Sequence, residues 1–293
     1  EEVSIFGVSC IGSRGMAGVL PEVWLARASN GLTLEQGIRE AGGEPARMSA
    51  EARRDIAAFL ELHIEQGPVL ETEKLDIGVV TAIAGITRIE IIVEGRADHA
   101  GTTPMGTRAD ALAAAARLVT GVEALAKSLS EGRGHFTATV GEFSIEPNAA
   151  NVVPSRARLL IDARAEHRTA MDVFAASIEQ MAEQVARETG TAIAPPRRIS
   201  DTMPMPGDAL LLDVLDAACE VAGASHRRMA SGAGHDTAFM AKITRAAMIF
   251  VPCLGGRSHT PEEFADTGDI ALGAAVLFNA VIHLDKTLNQ EGV

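Results

Sequence analysis

Tyrosine is absent from this 293-residue chain, tryptophan occurs once and phenylalanine nine times. A core must therefore be built from Ala, Val, Leu, Ile and Met, and the 47% of apolar residues supports one. Cysteine is scarce. Cys10, Cys219 and Cys253 lie far apart and no CxxC pair occurs, which argues against a disulfide framework and a thiolate zinc site. An excess of basic charge is also missing. The formal net charge of −13 argues against the basic face that a nucleic-acid binder needs. No apolar run reaches the ~18 residues of a membrane span, and no secretory leader is seen. The expectation is a cytoplasmic protein with neither nucleic-acid nor membrane partners. The first residue is Glu rather than Met.

What is present has a clear order. Residues 49–59 read as a helix with Ser49 as N-cap. LELHIEQG follows as a short strand entering a loop. GVVTAIAG and TRIEIIVEG read as two strands separated by Gly85, the second alternating apolar and polar residues. Thr107 to Leu129 is Ala-rich with helical spacing. FTATVGEFSI and ARLLIDAR read as strands, 168–189 as an amphipathic helix, and TAIAPPRRI as a last strand. The segment 84–197 thus runs β-α-β-β-α-β, the ferredoxin-like order. Beyond it come a helix over 208–223, the apolar strand AAMIFVP of buried parallel type, and a final helix over 268–286. One domain inserted in another is the simplest account: 1–83 and 198–293 form an α/β domain around an α+β insert at 84–197.

Four polar clusters could carry chemistry. Glu1-Glu2 is a commonplace pair, although in a metal site one carboxylate can bind the cation while its neighbour takes a proton from water. In His63-Ile64-Glu65-Gln66-Gly67-Pro68, His63 and Glu65 share a face if extended, but on this segment alone a strand-end histidine bonded locally is the favoured reading. Asp98-His99 opens a Gly-bearing loop, where a ligand-facing His and an Asp N-cap beside a surface His are both ordinary. The fourth cluster joins Ser231-Gly232-Ala233-Gly234-His235-Asp236 to Gly255-Gly256-Arg257-Ser258-His259-Thr260-Pro261-Glu262. Its second half follows a buried strand, where ligands of α/β sheets gather. Asn151 and Arg164 could clamp a carboxylate; a turn Asn and a surface Arg are the plainer reading.

In order, these strings resemble the N-carbamoyl-L-amino acid hydrolase and allantoate amidohydrolase family, within the dinuclear aminoacylase and carboxypeptidase clan. The matching strings are EE-x-S-x-FG, GSR, HIEQGPVLE, GITRIEIIVEG-x-A-x-HAGTTPM-x-TRADA, PNAANVVP, DAR, SGAGHD and GG-x-SHTPEE. The resemblance implies an α/β catalytic domain with a mixed, largely parallel sheet flanked by helices, plus an inserted ferredoxin-like lid through which the chain forms a homodimer. It implies two divalent cations, Zn²⁺ or Mn²⁺ with Co²⁺ or Ni²⁺ as substitutes, and metal ligands Glu2, His63 and His259. Glu1 would be the general base. His99, from the partner subunit, would stabilise the oxyanion and contact substrate. Gln66, Asn151, Arg164, Gly234 and His235 would bind a small ureido substrate bearing a carboxylate, with Asn151 and Arg164 on that carboxylate. The reaction would release amino acid, ammonia and carbon dioxide.

The chain departs from the family pattern in two ways. The upstream His-x-Asp and bridging Asp of the family are missing, so the resemblance implies an N-terminally incomplete member. Val3 and Ile5 stand where the family usually has Gly and Arg. Two other readings stay open: an allantoate amidohydrolase, and a metal-free, inactive remnant that dimerises or binds amino acids.

Overall fold

The computed structural model describes residues 4–48, 52–132 and 134–291. The chain divides into two compact units, Glu1–Ile83 with Met205–Val293, and Ala84–Pro204. In the first unit, α1 (Ile11–Met16), a hairpin of β1 (Ala28–Ser29) and β2 (Leu32–Thr33), α2 (Leu34–Glu40) and α3 (Pro45–Met48) come first. Val8, Ile11, Leu20, Leu34 and Ile38 form a small satellite core there. Arg14 joins this layer to a later segment. Its guanidinium lies 5.2 Å from the Trp24 ring centroid and 4.0 Å from that of Phe239, and its Nε donates to the Ser9 carbonyl at 3.0 Å.

Among the described residues 52–59, the helix expected over 49–59 is not formed. Ser49 lies outside the described residues, residues 52–56 have no regular structure, and β3 occupies Ala58–Ile64. Local helical propensity yields here to pairing with a central strand, because β3 runs parallel to β14 (Arg245–Val251) along its whole length. After β3 come α4 (Val69–Glu73) and β4 (Ile77–Ile83).

The second unit contains β5 (Gly85–Glu94), β6 (Asp98–His99), α5 (Ala111–Ser130), β7 (Phe136–Glu146), β8 (Val152–Val153), β9 (Arg156–Ala165), α6 (Arg168–Thr189), β10 (Ala192–Ile193) and β11 (Arg197–Asp201). Its main sheet runs β10-β5-β9-β7, with β11 also on β5, and every pairing is antiparallel. This is the ferredoxin-like order. Asp110 caps α5 by accepting from the Ala113 N–H at 3.0 Å. Ala111, Ala114, Ala115, Leu118 and Val122 then face the sheet at helical spacing, while α6 contributes Met171, Phe174, Ala175 and Ile178. The unit ends at Pro204 rather than 197, because β11 still pairs with β5 as far as Asp201↔Thr87.

The chain returns to the first unit with β12 (Met205–Pro206), α7 (Ala209–Ala222), β13 (His226–Ser231), α8 (Thr237–Met240), β14 and α9 (Thr267–Glu291). The sheet runs β12-β4-β14-β3, with β13 also on β4. It is mixed: β13–β4 and β14–β3 are parallel, β14–β4 and β12–β4 antiparallel. Central β14 is buried on both faces, which explains its unbroken apolar run. Ala247, Ile249 and Val251 meet α7 and α9, whereas Met248 and Phe250 meet Leu70 of α4 and Ala238 of α8. Gly273 of α9 permits a close approach, since a Cβ there would lie 2.7 Å from Val251 Cγ1 and 2.8 Å from Leu62 Cδ1. Among the described residues α9 is long and apolar enough to cross a membrane by composition, yet its Val276, Ala280 and Leu284 pack in the core beside the sheet.

Candidate metal centre

Residues two apart on a strand share a face, so β3 presents Glu61 and His63 together. His235 reaches the same place from the turn between β13 and α8. Each residue offers one ligand atom, and these atoms lie within 4.8 Å of one another. The two imidazoles meet edge to face at 4.6 Å between centroids. His63 Nδ1 faces the Ile64 carbonyl at 2.8 Å. His235 is 3% exposed, and its Nε2 is 2.7 Å from Ser231 Oγ. Burial, reinforced by His63, pushes the His235 pKa down to about 3, so this ring is neutral through the ordinary pH range. Glu61 Oε2 accepts from the Thr237 backbone N–H at 2.8 Å and from the Thr237 hydroxyl. Two imidazoles and a carboxylate are a donor set suited to borderline divalent cations. Neutral His235 has a lone pair to give, so the residues present fit such an ion.

A second corner is built by two loops. Gly256, at φ +65°, lets the loop after β14 lie against the Gly67–Pro68 backbone; a Cβ there would be 2.6 Å from Gly67 C and Pro68 N. Gln66 and His259 both adopt the left-handed region, at φ +56° and +58°. Gln66 Nε2 donates to Ser258 Oγ at 2.8 Å, and Ser258 donates to Glu263 Oε2 at 2.7 Å. The His259 backbone N–H donates to the same oxygen at 3.0 Å. The bonds from Ser258 and the His259 backbone hold the Glu263 carboxyl below its usual range. The structure therefore brings Gln66, through Ser258, and the His259 backbone to one carboxylate.

Several expected sites look different in the structure. Glu1 and Glu2 lie outside the described residues, as does Val3. Glu65 does not continue the face of His63. It turns to accept from the Val69 and Leu70 N–H groups, both at 2.8 Å, and so caps α4. His235 is buried beside His63, while Gly234 is exposed. Glu61 escaped the sequence reading, although extending the alternation two residues back from His63 finds it.

In the second unit, His99 and Asn151 adjoin. His99 pairs with Val152, its Nδ1 accepts from the Gly101 N–H at 3.0 Å, and the Asn151 carbonyl accepts from the Ala100 N–H at 3.0 Å. Both side chains are exposed. Arg164 stands elsewhere. It pairs with Ile86 near the far end of β9, whereas Arg156, just beyond the Asn151 turn, pairs with Glu94. The run of β9 between Arg156 and Arg164 spans roughly 26 Å. Asn151 thus lies before the start of β9 and Arg164 near its other end. Arg164 Nε donates to Asp162 Oδ1 at 2.8 Å.

Residues 1–283 match Peptidase family M20/M25/M40, and the chain belongs to that family, among hydrolases of C–N bonds. The N-carbamoyl-L-amino-acid amidohydrolase of Paenarthrobacter aurescens is 37% identical over 290 residues, covering 98% of this chain and 69% of that protein. The ureidoglycolate hydrolase of Arabidopsis thaliana is 38% identical over 291 residues, covering 94% and 60%. The allantoate amidohydrolase of Bacillus subtilis (strain 168) is 35% identical over 288 residues, covering 97% and 68%. Among solved structures, a putative amidohydrolase/peptidase from Burkholderia cenocepacia superposes with a TM-score of 0.87 at 34% identity, covering 97% of this chain and 68% of that one.

Proposed function

We propose that the protein hydrolyses the ureido C–N bond of N-carbamoyl-L-amino acids, releasing the amino acid, ammonia and carbon dioxide. The observation that carries this reading is the convergence of His63, Glu61 and His235 in a chain 37% identical to an N-carbamoyl-L-amino-acid amidohydrolase. Bound divalent cations, Zn²⁺ or Mn²⁺, with Co²⁺ or Ni²⁺ as substitutes, would polarise the ureido carbonyl and acidify water. His63 and His259 would hold them with Glu2, and Glu1 would take the proton from water. Gln66, at the end of the Ser258–Glu263 relay, would orient the substrate.

The inserted unit would supply the remaining contacts. His99 and Asn151 lie by the start of β9 and Arg164 near its other end, which makes it difficult for one copy to bring all three to a small substrate. A homodimer joined through this unit removes the difficulty: one copy contributes Arg164 to the substrate carboxylate, and the other contributes His99 and Asn151. His99 would then steady the oxyanion in trans.

Ammonia release from N-carbamoyl-L-amino acids and from allantoate, with Mn²⁺ supplied, tests the reading. The carbamoyl substrates should be the faster, and Arg164→Ala should raise their KM about 10- to 100-fold, the equivalent of one lost charged hydrogen bond. Faster turnover of allantoate would move the assignment to an allantoate amidohydrolase. Absence of turnover with metal bound would leave the non-catalytic binder. Mixed dimers of His99→Ala with a metal-site variant should recover activity; failure in verified heterodimers would overturn action in trans.

A further inference from the structure

We propose that Asp162 is a positioning residue: its carboxylate fixes the guanidinium of Arg164 on the open face of the second unit's sheet, so that Arg164 meets the substrate carboxylate already oriented. The proposal rests on the reading of Arg164 as a substrate-binding residue. The string DAR supplied that arginine but gave Asp162 no part.

The arginines of β9 differ in what holds them. Arg156 pairs with Glu94 of β5 at 3.2 Å and Glu146 of β7 at 3.0 Å. Arg158 pairs with Glu90 of β5 at 2.7 Å and Glu142 of β7 at 2.9 Å. Each of the two therefore ties three strands together. Arg164 stands opposite Ile86 on β5 and Thr137 on β7, so neither residue across from it is acidic. Its Nε donates to Asp162 Oδ1 at 2.8 Å, two residues back on its own strand. Strand alternation already puts both side chains on one face. A pair within one strand adds nothing to cross-strand order, and a partly exposed pair adds little to stability. What it does set is the direction of the guanidinium.

Three features suit Asp162 to this role. The contact is made at Nε, on the side of the guanidinium, whereas the end-on fork of its two terminal nitrogens matches a carboxylate in two parallel bonds. Asp162 is itself anchored: Arg88, opposite it on β5, donates from Nε to Oδ2 at 3.1 Å, so each carboxylate oxygen has its own guanidinium. Its charge is secure as well. Desolvation opposes ionisation, but the bonds from Arg164 and then Arg88 outweigh it and hold the Asp162 carboxyl below the usual range. An arginine free to turn loses rotamer freedom on binding, and one held beforehand loses less.

The probes are a panel of N-carbamoyl-L-amino acids and the carboxamide of the best-bound member, offered to the Mn²⁺-loaded protein. KM is read where the ligand is turned over, and Kd by titration calorimetry where it is not. Asp162→Ala should weaken the carboxylate ligand about 10-fold, the scale of one charged hydrogen bond. It should leave the carboxamide unchanged and add nothing in an Arg164→Ala background. Asp162→Asn keeps an acceptor for Nε and should recover part of the loss; it also carries the test if Asp162→Ala fails to fold. Arg88→Gln removes the cross-strand contact and should alter affinity little. An equal loss for carboxylate and carboxamide, or a loss from Arg88→Gln as large as that from Asp162→Ala, would reduce Asp162 to a strand-pairing residue and overturn the proposal. A loss from Arg164→Ala with none from Asp162→Ala would overturn it while leaving Arg164 in the site. No loss from either, or no binding by the native protein, would overturn both this proposal and the substrate-binding reading of Arg164. The expected losses in Kd without any hydrolysis would sustain the positioning role and overturn the hydrolytic function alone.

Discussion

The two sheets handle polarity in opposite ways. In the second unit β9 alternates strictly. Ala157, Leu159, Ile161, Ala163 and Ala165 enter the core, while Arg156, Arg158, Asp162 and Arg164 take the other face. There the first two are used up by their neighbours: Arg158 pairs with Glu90 at 2.7 Å and Glu142 at 2.9 Å, and Arg156 with Glu94 and Glu146. In the first unit β14 is apolar on both faces, so polar side chains gather at neighbouring strand ends and in loops. Charge on an open sheet face thus serves cross-strand order, whereas polar groups crowded beside a two-sided sheet are available to a ligand.

The sharpest way to break this comparison is to open each core separately. Ile161 and Ile249 are both fully buried, and truncation of either to Ala should cost about 2–5 kcal/mol. Hydrogen exchange should then show Ile161→Ala loosening peptides of Ala84–Pro204 alone, and Ile249→Ala loosening only the other unit. Equal loosening of both by either change would show that the units unfold as one. A smaller effect is expected at Arg14. Arg14→Leu removes its cation–π contacts with Trp24 and Phe239, with a loss of about 1–2 kcal/mol. Because Trp24 is the single tryptophan, its fluorescence reports the site directly, and unchanged emission with unchanged stability would dismiss the contact. The smallest effect concerns acid. Bonds from Arg168, opposed by desolvation and helped by the Thr87 hydroxyl, hold Asp201 at about 2. A depressed carboxyl pKa adds stability above its unfolded value, near 4, that fades as pH falls toward 2. Asp201→Asn should therefore flatten the acid destabilisation of the second unit between those values. An unaltered acid profile would mean that solvent screens the Arg168 pair completely.

Legibility followed the same division. The alternation of β5 and β9 and the periodicity of α5 and α6 each bury one side, so their patterns can be read without knowing the partner. β3 was legible from Leu60 onward, but its start was not. Its first residues follow a helix-like string, and only the parallel partner β14, far along the chain, makes Ala58–Ile64 extended. At the site, the family strings led to His63, Gln66, His235 and His259. They did not reveal that Glu61 joins the cluster or that Glu65 leaves it. The second outcome depends on α4, whose first N–H groups take up the Glu65 carboxylate. The separation of Arg164 from Asn151 was hidden too: thirteen positions in sequence suggest neighbours, but a strand carries them apart.

The ends of the inserted unit meet. The Thr202 N–H donates to the Ile86 carbonyl at 2.9 Å, a Cβ on Gly85 would collide with Thr202 and Pro204, and Ile83 pairs with Met205 immediately outside. Loop-closure entropy grows only logarithmically with length, but here most of that loop can vanish. Once Ala84–Pro204 has folded, β4 and β12 are already adjacent, and the return of the chain costs little more than a tight hairpin. Contacts such as Arg14 with Phe239, which span the insert in sequence, then carry a smaller loop-closure cost than their separation along the chain suggests.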